Sequence, residues 1–164
     1  MSLEAIPAGA RVLVDANILI YAKRGISAQC RRLLERCAQH EVSGVLTTIA
    51  VAEFCHRRMM QEAQGRGLSG SNPAKALAQN PGLVRQLTQY PQEVEDILSG
   101  DLLVLGIATR DFSKAAELQR THGLLTNESL NLAAGLRTGV NRLATADPQF
   151  DSIPGITVFK PDDL

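Results

Sequence analysis

What most constrains the fold of this chain is a rhythm: five short apolar runs separated by segments whose apolar residues recur near helical spacing. The runs are Arg11-Val-Leu-Val-Asp15, Val42–Thr47, Asp101–Ile107, Arg142-Leu-Ala-Thr-Ala146 and Ile156-Thr-Val-Phe159. Each is of strand length and reads as a run rather than as an alternation. A strand with one wet face alternates, whereas an uninterrupted apolar run belongs to a strand covered on both faces. Strands interleaved with helices give a parallel sheet between two helical layers. The expected class is therefore α/β: a three-layer α/β/α sandwich around a central, mainly parallel five-stranded sheet.

Capping chemistry sets the helix boundaries. Ala16–Ala22 reads as a brief helix or turn. Ser27 can cap a helix through about Gln39, with Leu33, Leu34 and Cys37 as its apolar positions. Thr48 can cap a helix over Ile49–Gln64, on which Ile49, Ala52, Cys55 and Met59 or Met60 face the core and Glu53 sits one turn in. Pro91 opens a helix through Leu98. Thr109–His122 is amphipathic and stopped by Gly123, and Asn127 caps an apolar helix closed by Gly139. Between Gly65 and Gln92 the composition turns to Gly, Ser, Asn, Pro and Gln. Pro73, Pro81 and Pro91 punctuate that stretch. It is expected to be a surface insertion at about 65–92 carrying two short helices, near Ala74–Gln79 and Leu83–Tyr90, within a single domain over 1–164.

With 164 residues, 45% of them hydrophobic and 21% charged, the chain has enough apolar content to bury a core, which excludes a disordered class. No run approaches the roughly 18 apolar residues of a membrane span; the longest, Val12–Ala22, is broken by Asp15 and Asn17. The N-terminus lacks the basic, apolar and small-residue order of a secretory signal, so a cytoplasmic protein without a membrane partner is expected. Cys30, Cys37 and Cys55 match no C-x-x-C spacing, and reduced, partly buried thiols are expected. The formal net charge is zero, yet the basic residues are clustered. Lys23, Arg24, Arg31, Arg32 and Arg36 face only Glu35 within Ala16–Arg36, and Arg57, Arg58, Arg66, Lys75 and Arg85 face only Glu62 within Phe54–Gln92. Arginine dominates both clusters and suits bidentate contact with phosphate, although two solvated helix faces would look the same.

In open α/β sheets, sites form beyond the carboxyl ends of the strands, so acids at those positions carry weight. Asp15 ends the first run, and Asp147 follows the fourth. Glu53 stands one helical turn after the second, and Glu128 lies in the first turn of the helix after Gly123. Taken singly, each also suits a helix N-cap or first turn. That explains Asp15 poorly, because a buried strand has little reason to end in an acid. Gathered carboxylates repel one another and must keep protons or share a cation. Oxygen-only ligands favour Mg²⁺ or Mn²⁺. The chemistry natural to such a cluster is metal-assisted hydrolysis of a phosphodiester, which needs no protein nucleophile.

Val12-Leu-Val-Asp-Ala-Asn-Ile-Leu-Ile-Tyr-Ala22 resembles the opening motif of the PIN-domain nucleases, in particular the VapC-type toxins of toxin–antitoxin pairs. Thr47-Thr-Ile-Ala-Val-Ala-Glu-Phe54 resembles their second motif, Gly123-Leu-Leu-Thr-Asn-Glu-Ser-Leu130 their third, and Leu143-Ala-Thr-Ala-Asp-Pro-Gln-Phe-Asp-Ser-Ile-Pro-Gly155 the closing one. The four occur in the family's order and span nearly the whole chain. The resemblance implies a PIN fold and an Mg²⁺- or Mn²⁺-dependent endoribonuclease acting on RNA, with a cognate antitoxin and frequently a homodimer. It puts Asp15, Glu53, Glu128 and Asp147 at the acidic positions, with Asp15, Glu128 and Asp147 as metal ligands and Glu53 completing the site. Asn17 and Thr145 fall where the family has supporting polar residues, and Arg24, Arg31, Arg57 and Arg58 are the candidates for guiding RNA. The third acid of the family is usually Asp. Here it is Glu128, whose added methylene extends the carboxylate by roughly 1.5 Å.

Three other functions fit parts of the pattern. A PIN-like module that binds RNA or protein without cutting accommodates the Glu128 departure. A housekeeping RNA-processing nuclease would share the site but have no antitoxin. A phosphatase of the haloacid-dehalogenase type also begins with a strand and an Asp, but needs a second Asp two residues later, where this chain has Asn17.

Overall fold

The computed structural model describes residues 1–70 and 72–164; Ser71, inside the expected insertion, lies outside them. Five strands form one sheet in the order β3-β2-β1-β4-β5, and every pairing is parallel. The strands are β1 (Arg11–Val14), β2 (Ser43–Thr47), β3 (Leu103–Leu105), β4 (Arg142–Ala144) and β5 (Thr157–Phe159). Leu13 is the pivot of the register, paired with Val45 on one side and Leu143 on the other.

The described residues form eight helices around the sheet: α1 (Ala16–Lys23), α2 (Ala28–Ala38), α3 (Thr48–Gly65), α4 (Pro73–Gln79), α5 (Pro81–Val84), α6 (Gln89–Leu98), α7 (Thr109–His122) and α8 (Thr126–Arg137). Side chains on a strand alternate faces, so both faces of β1 must be apolar if both are covered. Val12 and Val14 pack with Leu19, Leu33, Phe54 and Ile97 from α1, α2, α3 and α6. Leu13 turns the other way, toward Ala115, Leu118, Leu130 and Leu132 of α7 and α8. The expected sandwich and its central sheet are thus present. Gly44 of β2 lets α2 come close: a Cβ there would lie 2.8 Å from the Cys37 sulfur and would also strike Leu102. Cys30 and Cys37 are buried free thiols, and Cys55 is half-buried and also free.

Several boundaries differ from those expected. The cap of α3 is Thr47, whose hydroxyl accepts from Ala50 N at 3.2 Å, so Thr48 is already helical. The buried face of that helix runs through Ala50 and Phe54, while Ala52 is exposed. Phe54 has far more apolar area to remove from water than Ala52, and it sets the phase. Asn127 is not a cap either, since α8 begins at Thr126. The Glu128 carboxylate accepts from Leu125 N at 2.6 Å, meeting the need a cap would meet. The stretch Leu83–Tyr90 is not one helix: α5 stops at Val84, and α6 starts at Gln89, ahead of Pro91. Ser27 and Gly123 behave as expected, Gly123 ending α7 at φ 73°.

The 65–92 stretch is anchored to α3. Leu77 and Leu87 close over Ala63 with Met59, Leu68 and Tyr90 around them. Beneath them Glu62 is buried, accepting from Thr88 N at 2.8 Å and from Gln89 N and Tyr90 N at 3.0 Å. A carboxylate at the start of a helix satisfies its free N–H groups and complements its dipole. Burial pushes the Glu62 carboxyl upward, but these three amides and Arg66 outweigh it and hold the group below its ordinary range.

Candidate active site at the carboxyl ends of the strands

The sheet order places a switch point between β1 and β4: from β1 the chain winds outward to β2 and β3, then returns to the opposite side with β4 and β5. Helices leave the two halves in opposite directions there, which opens a crevice beyond the strand ends. Asp15 follows β1 directly, and Asp147 follows β4 by three residues. Glu53 reaches the crevice from the second turn of α3 and Glu128 from the first turn of α8. The crevice is small, lined by Asp15, Ile49, Ala50, Glu53, Asn127, Glu128 and Asn131. Asp147 stands beside it, near enough to raise the carboxyls of both Asp15 and Glu128.

Asp15 sits in the densest hydrogen-bond network of the site. Its Oδ1 accepts from Ala16 N at 2.7 Å, and its Oδ2 accepts from Asn17 Nδ2 at 2.7 Å and from Thr145 Oγ1 at 2.6 Å. The Thr145 hydroxyl, which is buried, also accepts from Asn17 Nδ2 and Asp147 N, both at 3.1 Å. Asn17 Oδ1 accepts from Ala146 N at 3.1 Å, so one asparagine laces the end of β1 to the loop after β4. Burial pushes the Asp15 carboxyl up to about 6, against the pull of Thr145 and Ala16 and with repulsion from Glu53 and Asp147. Burial also raises Glu128, opposed by the Leu125 amide and helped by Asp147 and Glu53.

Each remaining acid has one oxygen engaged and one free of protein donors among the described residues. Asp147 Oδ1 accepts from Gln149 N at 2.8 Å, Glu128 Oε2 from Leu125 N, and Glu53 Oε1 pairs with Arg57 Nη2 at 2.9 Å. No group of three Asp, Glu, His or Cys side chains among the described residues stands arranged to hold one ion as it is. By chemistry the donor set nonetheless fits a hard divalent cation: it is all oxygen, three acids offer a free oxygen, and mutual repulsion is what a cation relieves.

The four expected acids, Asn17 and Thr145 are therefore brought together at one place. Of the four candidate arginines, one joins them. Arg57 lies beside Glu53. Arg58 is turned away, its guanidinium held by both Glu93 oxygens at 2.6 and 2.7 Å and by Gln61 at 2.8 Å. Arg31 is exposed, 4.0 Å from Glu35, and Arg24 is exposed at the end of α1, beside a polar hollow with Arg58, Arg66 and Gln89. The crevice wall also holds a buried amide that was not among the expected site residues, Asn131. A polar residue inside Leu130-Asn-Leu-Ala-Ala134 is the signal that could have found it.

No family model matches this sequence, and no curated protein does. Solved structures do match its fold. A chain of a toxin–antitoxin complex from Klebsiella pneumoniae superposes with a TM-score of 0.62 at 18% identity, over 93% of this chain and 99% of its own. The fold is that of the PIN-domain VapC toxins. VapBC2 from Rickettsia felis, solved bound to a DNA fragment from its promoter, matches with a TM-score of 0.61 at 18% identity over the same shares of each chain. VapC20 of Mycobacterium tuberculosis, a sarcin-ricin loop cleaving toxin, matches with a TM-score of 0.56 at 13% identity over 86% of this chain and 93% of its own. In this PIN-like fold the crevice of Asp15, Glu53 and Glu128 lies at the switch point of the sheet.

Proposed function

We propose that this chain is a metal-dependent endoribonuclease and the toxin of a toxin–antitoxin pair. The observation that carries the proposal is the meeting of Asp15, Glu53, Glu128 and Asp147 at one switch point of the sheet. Asp15, Glu128 and Asp147 would hold Mg²⁺ or Mn²⁺ through their free or shared oxygens. Such an ion would make a water easier to deprotonate near neutral pH and would offset charge on the transition state.

The chain's own residues supply position and proton handling. Asn17 and Thr145 fix Asp15 so that its carboxylate cannot swing, which hard-cation geometry requires. Glu53 orients the attacking water through its free oxygen and accepts its proton. Arg57, pinned to Glu53, puts a guanidinium at the rim where an RNA phosphate arrives. The partners in this reading are RNA, a cognate antitoxin that blocks the crevice, and a second copy of the chain. Among the described residues no helix is long and apolar enough to cross a membrane.

A second function rests on one observation: the Glu128 carboxylate is turned back onto Leu125 N. A site whose third ligand serves a helix cap would bind RNA or a partner without cutting. One experiment separates the two: incubation of the wild type and Asp15→Asn with total cellular RNA under Mg²⁺, Mn²⁺ and EDTA. Discrete fragments from the wild type alone, lost in EDTA, support the nuclease. Intact RNA under both metals, from folded and antitoxin-free protein, supports the binding module.

A further inference from the structure

Asn131 is 4% exposed, one turn beyond Glu128 on α8 and on the same helix face. Its neighbours along the helix, Leu130, Leu132, Ala133 and Ala134, are all buried in the apolar core. A buried amide among them is anomalous unless both of its ends have work. One end does. Thr47 Oγ1 accepts from Ala50 N and gives its own proton to Asn131 Oδ1 at 2.7 Å. Thr47 is fully buried at the carboxyl end of β2, so the amide oxygen is fixed on a rigid element.

The other end is open. The amide nitrogen has no hydrogen-bond partner among the described residues, and it is not sealed from solvent, because the sealed side-chain atom without a partner there is Ser69 Oγ. Asn131 lines the crevice beside Asp15, Glu53 and Glu128. With its oxygen held by Thr47, its two N–H groups are the part of the side chain left to face that space.

We propose that Asn131 donates from its amide nitrogen to a nonbridging oxygen of the scissile phosphodiester, a contact that rests on the ribonuclease reading. A phosphodiester entering four carboxylates is repelled by them, and a cationic side chain there is captured by an acid, as Arg57 is by Glu53. A neutral donor is not captured and keeps its direction. Thr47 holds it without reorganisation as charge builds on the phosphate oxygens, so it acts on the transition state more than on the bound substrate.

The test combines an enzyme change with an atom change in the substrate. Asn131→Ala, Asn131→Leu and Asn131→Asp are compared with the wild type on one RNA oligonucleotide. The scissile phosphate is all-oxygen or carries sulfur at either nonbridging position. Asn131→Ala is expected to lower kcat by about 100-fold with KM unchanged, the usual scale for losing one preorganised donor. With sulfur at the contacted position the wild type slows and the gap to Asn131→Ala narrows, while the other isomer keeps the full gap. Effects of sulfur on metal binding are common to both proteins and cancel in that ratio. Asn131→Leu keeps the helix packed and is expected to fold yet cleave as poorly as Asn131→Ala, and Asn131→Asp is not expected to rescue. Equal losses on all three substrates show a purely structural tie to Thr47 and overturn the contact. Wild-type cleavage rates in Asn131→Leu overturn it as well. A wild type that leaves the all-oxygen RNA intact overturns the ribonuclease reading and the contact with it.

Discussion

Asp15→Asn is expected to reverse its effect on stability between pH 4 and pH 7.5. The wild-type carboxyl titrates at about 6 in the folded protein against an ordinary 3.8. Between those values the unfolded chain releases its proton while the folded protein keeps it, so stability falls as pH rises through this window and levels off above it. At about 1.36 kcal/mol per pKa unit, the fully developed cost is about 3 kcal/mol above pH 7, has fallen to about 0.5 kcal/mol at pH 4 and is lost below that. Asparagine carries no charge and escapes that cost at every pH. It loses something else: with its oxygen facing Asn17 and Thr145, its nitrogen meets Ala16 N, donor against donor. That lost cap costs about 1 kcal/mol and does not depend on pH. The variant should therefore be about 0.5 kcal/mol less stable than the wild type at pH 4 and about 2 kcal/mol more stable at pH 7.5. Urea unfolding in EDTA at a series of pH values measures the difference directly. Adding Mn²⁺ at pH 7.5 should then raise the wild-type midpoint more than that of the variant, since a cation restores what repulsion removes. A stability difference that stays constant from pH 4 to pH 7.5 would show that Asp15 is not held protonated by its surroundings, and the electrostatic account of the site would fail.

Three further outcomes follow from particular contacts. Glu128→Asp shortens the side chain that holds Leu125 N, so it should cost about 1 kcal/mol of stability while tightening Mn²⁺ binding in calorimetry; unchanged affinity would remove the capping contact as the reason for a weak site. Glu62→Gln keeps one carbonyl oxygen in place of two, so either Thr88 N or the pair Gln89 N and Tyr90 N meets an amide NH2, donor against donor; it should lower stability by about 2–3 kcal/mol, with faster hydrogen exchange at Thr88, Gln89 and Tyr90 and at no residue of the crevice. Gly44→Ala drives a methyl group into Cys37 and Leu102 and should lower the unfolding midpoint by the equivalent of about 1–3 kcal/mol; an unchanged midpoint would mean that α2 is not seated tightly on β2.

Local chemistry was enough for much of this fold. The apolar runs place all five strands, Ser27 and Gly123 mark helix ends, and the spacing of Asp15, Glu53, Glu128 and Asp147 puts each acid just past a strand or at a helix start. Those features are decided within a few residues, by pleat alternation, capping and the left-handed backbone that glycine tolerates. Where two adjacent residues compete for one role, local chemistry does not choose. Thr47 and Thr48 can both cap, and the burial of Phe54 selects the register that makes Thr47 the cap. Asn127 is a good cap by type, yet Glu128 reaches back and displaces it.

Relations between distant residues had to wait for the packing of the chain. That Glu62 is the anchor of the 65–92 stretch depends on three amides about 26–28 residues away, and its helix neighbours give no hint of it. That Arg58 is bound to Glu93 while Arg57 stays at the crevice depends on which side of α3 meets α6. The pairing of Asn17 with Thr145 and of Thr47 with Asn131 spans 128 and 84 residues. Functional groups alone say which side chains could serve a cation and a phosphate, and these are legible residue by residue. Which of them share one crevice was decided by the strand order, since only the placing of β4 beside β1 brings the last acid back to the first.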